Sequence, residues 1–246
     1  MQKKRSRSAP WRLYRQGEKE GDACAAHAAG VTKTMKTKNA AVVPWHSPAE
    51  VMDMIYDVRE PGCEAVGYAL LRPRSRQSVN HVMAVFGSKL APFKPEADAP
   101  RTSCGLPVTA RDHRLILAQG APDTPLWRLL EDYDANVRPH QRLLAAILTI
   151  KGEYDMPSHD LLDMASAYAA VHLAGGRRLS TMAVLHVPGD GLSTARQHVH
   201  LCVLARQHLP SGWAGEHPDL VDTAHQLWAD EISAFRTGWC RITAAA

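Results

Sequence analysis

The chain has 246 residues, 45% of them apolar, and a formal net charge of +4, which is enough to bury a substantial core and only modestly basic overall. No stretch approaches the roughly 18 uninterrupted apolar residues of a membrane-spanning helix, and the basic start MQKKRSRSAPWRLYRQ has no apolar segment behind it, so no membrane partner is expected and a cytoplasmic location is the default. Five scattered cysteines (Cys24, Cys63, Cys104, Cys202 and Cys240), with no CxxC pair, argue against a disulfide framework and a thiolate zinc site, which leaves histidine nitrogen as the expected ligand for any metal.

Residues 1–40 form a basic, small-residue-rich segment in which Lys3, Lys4, Arg5, Arg7, Arg12 and Arg15 crowd the start and Lys33, Lys36 and Lys38 follow. Such a block suits a polyanion such as nucleic acid, and equally a solubilising tail. Residues 41–115 read as an insertion of unknown role: PAEVMDMIYDV has helical spacing, AVGYALL and HVMAVFG look like short strands, and PFKPEADAPRTSCGLPVTAR has loop composition.

From residue 116 the pattern sharpens into an expected core that runs to 246. PDTPLWRLLEDYDAN predicts a helix capped by Asp123 or Thr124 with Pro125 at its first position. RLLAAILTI, bounded by Gly152, predicts a buried strand. Leu161, Met164, Ala165, Tyr168 and His172 fall on one face of a helix that ends at Gly175 and Gly176. STMAVLHV and HVHLCVLA predict two strands joined by a turn at PGDG, and HPDLVDTAHQLWADEISAF an amphipathic helix through Leu220, Ala224, Leu227, Trp228 and Ile232. Two strands joined by so short a turn are antiparallel, so the fold class is α+β, an antiparallel sheet with helices packed on it.

His198 and His200 stand two apart in RQHVHLCVLAR, a spacing that points both imidazoles out of one face of a strand. His186, near the end of MAVLHV, flanks the same connection and can meet His198 across the ladder. Three neutral nitrogens around one divalent cation leave coordination positions open, as a catalytic site requires. With thirteen histidines in the chain, the HxH pair alone is also what an ordinary solvated strand face would carry. His140, His159, His172 and His208 fall at loop or helix positions and are not expected to be ligands.

A strand ending in histidine, a GDG turn and His-hydrophobic-His resemble the metal motif of the HUH endonucleases, specifically the plasmid mobilisation relaxases of the MobA/MobL type. RSRSAPWRLYRQGEKEGD is similar to the family segment that carries the nucleophilic tyrosine. The likeness covers residues 1–22 and 122–236. It implies an HUH-relaxase-like fold and site- and strand-specific nicking of single-stranded DNA at a plasmid transfer origin, with relaxosome and type IV secretion proteins as further partners. Tyr14 would be the nucleophile, and His186, His198 and His200 the ligands of Mn²⁺, Mg²⁺ or Zn²⁺. Lys3, Lys4, Arg5, Arg7, Arg12, Arg15, Arg196 and Arg206 would contact DNA phosphates, and Trp11 and Trp213 would stack on bases. The chain departs from the family in lacking a strand before Tyr14 and a Glu in RLLAAILTI, so a supporting acid would have to be Glu153, Asp155 or Asp190, or be absent. Tyr154 and Tyr168 are the rival nucleophiles, although Tyr168 falls on the apolar helix face and Tyr154 has no matching motif. The other readings are a catalytically defective relaxase-like DNA-binding protein and an unrelated His-metal phosphoesterase.

Overall fold

The computed structural model describes residues 44–75, 78–103, 105–153, 155–187 and 196–244. Ser47 opens the first element: its hydroxyl accepts from the Glu50 N–H and the Glu50 carboxylate accepts from the Ser47 N–H, a reciprocal box that starts helix α1 (Pro48–Met54). At Ile55 the chain turns extended into β1 (Ile55–Val58), so PAEVMDMIYDV is half helix and half strand. β2 (Val66–Leu71), the short hairpin β3 (Arg74–Ser75) and β4 (Ser78–Val79), α2 (Val82–Leu90) and β5 (Asp112–Ile116) follow. Then come α3 (Leu126–Ala135), β6 (Ala145–Lys151), α4 (Ser158–Tyr168) running on as a π-helix (Ala169–Gly176), β7 (Thr181–His186) and β8 (His198–Leu204). β9 (Arg206–Leu209), β10 (Gly212–Glu216) and α5 (His225–Ala244) complete the described chain.

Six strands form one antiparallel sheet in the order β1-β2-β6-β8-β7-β5. β6, β7 and β8 are buried along nearly their whole length, because helices cover the sheet on both sides and the alternation of side chains fills both faces with apolar groups. One face carries Tyr68, Leu70, Leu148, Ile150, Leu185 and Leu201 against α4, the π-helix and α5. The other carries Ala69, Leu71, Ile147, Val184, Cys202 and Leu204 against α1, α2 and α3. No helix among the described residues is long and apolar enough to cross a membrane.

The expected α+β class is present, and the helix, strand, helix, strand, strand, helix order from 126 onward is found with one addition, the hairpin β9–β10 between β8 and the last helix. Several local expectations are corrected. HVMAVFG is helix α2, with Val82, Val85, Phe86 and Leu90 buried on one side, because its first N–H groups are capped from a distance: the Asp134 carboxylate accepts from Val82 N at 2.9 Å and Met83 N at 3.1 Å. Pro125 is the N-cap of α3 and not its first helical residue. The last helix starts at His225, so Leu220 packs ahead of it, and Leu227 is exposed. Residues 41–115 are no detached insertion, since they supply β1, β2 and most of β5 to the sheet, with α1 and α2 on its face.

Candidate metal centre

β7 and β8 place the three histidines by register. His186 lies directly opposite His198, and His200 lies opposite Val184, so all three project from the α2 side of the sheet at its open end. Their ring centroids are 4.8 to 5.3 Å apart and the planes cross at 75° to 82°. One potential ligand nitrogen from each lies within 4.8 Å of the other two. Around an ion with N–metal bonds of about 2.0–2.1 Å the nitrogens would stand about 3.3 Å apart.

Each imidazole has its other nitrogen engaged away from the cluster. His186 Nε2 is 2.7 Å from the Lys89 carbonyl oxygen, and His198 Nδ1 is 2.8 Å from that of Arg196. A carbonyl only accepts, so these two nitrogens carry the protons and Nδ1 of His186 and Nε2 of His198 carry lone pairs. His200 Nδ1 is 2.9 Å from the Thr149 hydroxyl, on the strand directly opposite. With Nδ1–H donating to that oxygen, His200 too presents Nε2. Outward N–H bonds of this kind fix tautomer and ring plane, and they typify metal-ligating histidines.

Burial lowers all three pKa values: His186 to about 4, His198 below its ordinary value and His200 well below it. Neutral imidazoles are therefore present at neutral pH, the form that binds a metal. The three together can hold one divalent cation.

The surroundings are cationic. Lys151 lies directly opposite His198 on the same face, its ammonium 3.4 Å from the Glu64 carbonyl oxygen. Lys89, in the last turn of α2, is partly buried, and its charge disfavours protonation of all three imidazoles. Among the described residues no carboxylate joins the cluster. Glu153 is exposed and faces Arg236 at 4.0 Å, Asp155 is exposed, and Asp190 lies outside the described residues. At the β6 position opposite His200 stands Thr149.

The other expected site residues divide. Tyr14, Trp11, Lys3, Lys4, Arg5, Arg7, Arg12 and Arg15 lie outside the described residues, as does Tyr154. Arg196 is exposed beside His198, whose ring its carbonyl holds. Arg206 is buried, with its guanidinium donating to the carbonyls of Asn136, Ala214 and Trp213, so it ties β9 to β10 and α3 and does not face a nucleic acid. Trp213 is stacked on His208 at 4.1 Å, edge-on to Tyr133, and donates to Asp132, which occupies the ring in packing. Tyr68, Tyr133 and Tyr168 are buried with their hydroxyls bonded to Val221 O, Leu144 O and the Glu231 carboxylate, and Tyr56 projects on the sheet face opposite the histidines.

Sequence reasoning missed Thr149, Lys89 and Lys151. For Thr149 and Lys151 a signal existed, since they alternate on one face of a strand. For Lys89 there was none, because its position depends on where α2 ends in space. No protein-family model matches this sequence, and no curated protein matches it.

Proposed function

We propose that the chain is a metal-dependent DNA nickase of the HUH relaxase kind, cutting single-stranded DNA at a plasmid transfer origin by tyrosine transesterification. The observation that carries this reading is a set of three neutral, outwardly anchored imidazoles with cationic neighbours and, among the described residues, no carboxylate ligand. A divalent ion held by such a set keeps its full charge, and when bound it supplies electrostatic stabilisation to a phosphodiester. Three nitrogen ligands favour Mn²⁺ or Zn²⁺ over Mg²⁺, which prefers oxygen.

In this reaction the tyrosine hydroxyl gives up its proton as its oxygen bonds to phosphorus, the bond from phosphorus to the 3′ oxygen breaks, and the departing 3′ oxygen takes up a proton, so that no net proton is gained or lost. The 5′-phosphotyrosine conserves the energy of the broken bond for later rejoining. The described tyrosines are buried and hydrogen-bonded or on the opposite face, which leaves Tyr14, supported by its motif, ahead of Tyr154.

Incubation with Mn²⁺ and single-stranded oligonucleotides spanning the cognate transfer region should give a denaturant-resistant protein–DNA adduct. The adduct should vanish in Tyr14→Phe and persist in Tyr154→Phe. Salt-sensitive DNA binding with no adduct under any metal would favour the non-catalytic reading. Phosphoester turnover indifferent to both substitutions would favour the hydrolase.

A further inference from the structure

The end of α2 is bolted to the rest of the molecule by three consecutive carbonyls. That of Lys89 accepts from His186 Nε2 at 2.7 Å, that of Leu90 from Thr109 N at 3.0 Å and Ala110 N at 2.9 Å, and that of Ala91 from Trp45 Nε1 at 2.7 Å. The Lys89 backbone is thereby fixed relative to the histidines, and its side chain starts from a set position beside them. Its ammonium makes no hydrogen bond or ion pair among the described residues, although the stem is partly buried. Asp57, the carboxylate that acts most on it, is paired with Arg59 at 3.3 Å.

A partly desolvated cation without a partner costs free energy unless an anion completes it. Three imidazoles carry no negative charge, and with a metal bound their lone pairs are taken. A phosphate oxygen can complete it.

We propose that Lys89 is a substrate-binding residue whose ammonium donates to a non-bridging oxygen of the phosphate group held at the histidine triad. This rests on the phosphodiester reading of the site, and it gives that reading a second cation independent of the metal. A lysine that only offset the dipole at the end of α2 would contribute to stability and leave anion binding untouched.

The test uses the full chain loaded with Mn²⁺ and inorganic phosphate as the probe, read by paramagnetic relaxation of the ³¹P signal, alongside calorimetric Mn²⁺ affinity and thermal melting of each variant. In Lys89→Met the phosphate dissociation constant should rise about tenfold or more, with Mn²⁺ affinity within about threefold of wild type, and Lys89→Arg should recover most of the loss. The melting temperature of Lys89→Met should be unchanged or higher. Unchanged phosphate affinity in Lys89→Met would overturn the assignment. So would a collapse of Mn²⁺ affinity, which would make Lys89 a support for His186 alone, or the absence of phosphate binding in the wild type. Phosphate binding that depends on Lys89 in a protein forming no DNA adduct would retire the nickase reading and leave Lys89 in its role. An adduct indifferent to Lys89→Met would do the reverse.

Discussion

Thr149 engages Nδ1 of His200 at 2.9 Å, and when its hydroxyl accepts the Nδ1 proton, Nε2 is the nitrogen free for a metal. Thr149→Val keeps the shape and removes the acceptor, so metal affinity should fall about 10–100-fold with the fold intact, as measured by Mn²⁺ or Co²⁺ titration. Gly67, opposite Thr149 on β2, has a related part: a Cβ there would stand 3.1 Å from the Thr149 Cβ and 3.5 Å from its hydroxyl. Acidification acts on the ligands directly. Because burial lowers the three imidazole pKa values, the unfolded chain binds more protons than the folded one between the ordinary value of 6.5 and about 4 for His186. Stability of the metal-free protein therefore rises with pH through this window and is lost as pH falls through it, by up to roughly 1.4 kcal/mol per pH unit for each shifted group. Thermal melts should show that descent, shallower in His186→Leu. The triad itself was legible from two strands and a short turn. The groups that hold it were not, because a carbonyl of α2 and a hydroxyl of β6 become partners only through tertiary packing.

At the scale of elements, α2 shows why a short apolar run misleads. HVMAVFG has no local cap, and the carboxylate that satisfies its first N–H groups comes from Asp134 on α3. Asp134→Ala should cost about 1–2 kcal/mol in chemical denaturation. It should also weaken metal binding, because α2 carries the carbonyl that orients His186. Strands β6, β7 and β8 were legible because they combine apolar continuity with clear boundaries. Gly152 marks one such boundary for a physical reason: a Cβ would stand 2.8 Å from Gln197 Cγ, where that side chain, just ahead of β8, crosses toward Met156 and Ser158. The helix after Pro157 was legible by its buried face. Its continuation as a π-helix was not, since the same apolar spacing serves either winding.

For the whole molecule, the largest departure from the sequence reading is the role of residues 41–115. Their strands are short, interrupted by Pro and Gly, and β1 and β5 close opposite edges of the sheet, so no local periodicity ties them to β6, β7 and β8. Long-range pairing makes them one sheet: β2 joins β6 residue by residue from Val66–Ile150 to Leu71–Ala145 and brings β1 with it, and β5 joins β7 from Asp112–Leu185 to Ile116–Thr181. Occupancy of the triad should be felt by this entire unit. A cation at 100 times its dissociation constant adds about 2.7 kcal/mol to folding stability, seen as a rise in melting temperature that a chelator reverses. Calorimetric titration of the metal-free full chain with Mn²⁺ and with Zn²⁺ tests the triad most directly. One ion per chain is expected, lost in each of His186→Ala, His198→Ala and His200→Ala while every variant still melts cooperatively. Binding that persists in all three variants, or no binding by the wild type, would contradict it.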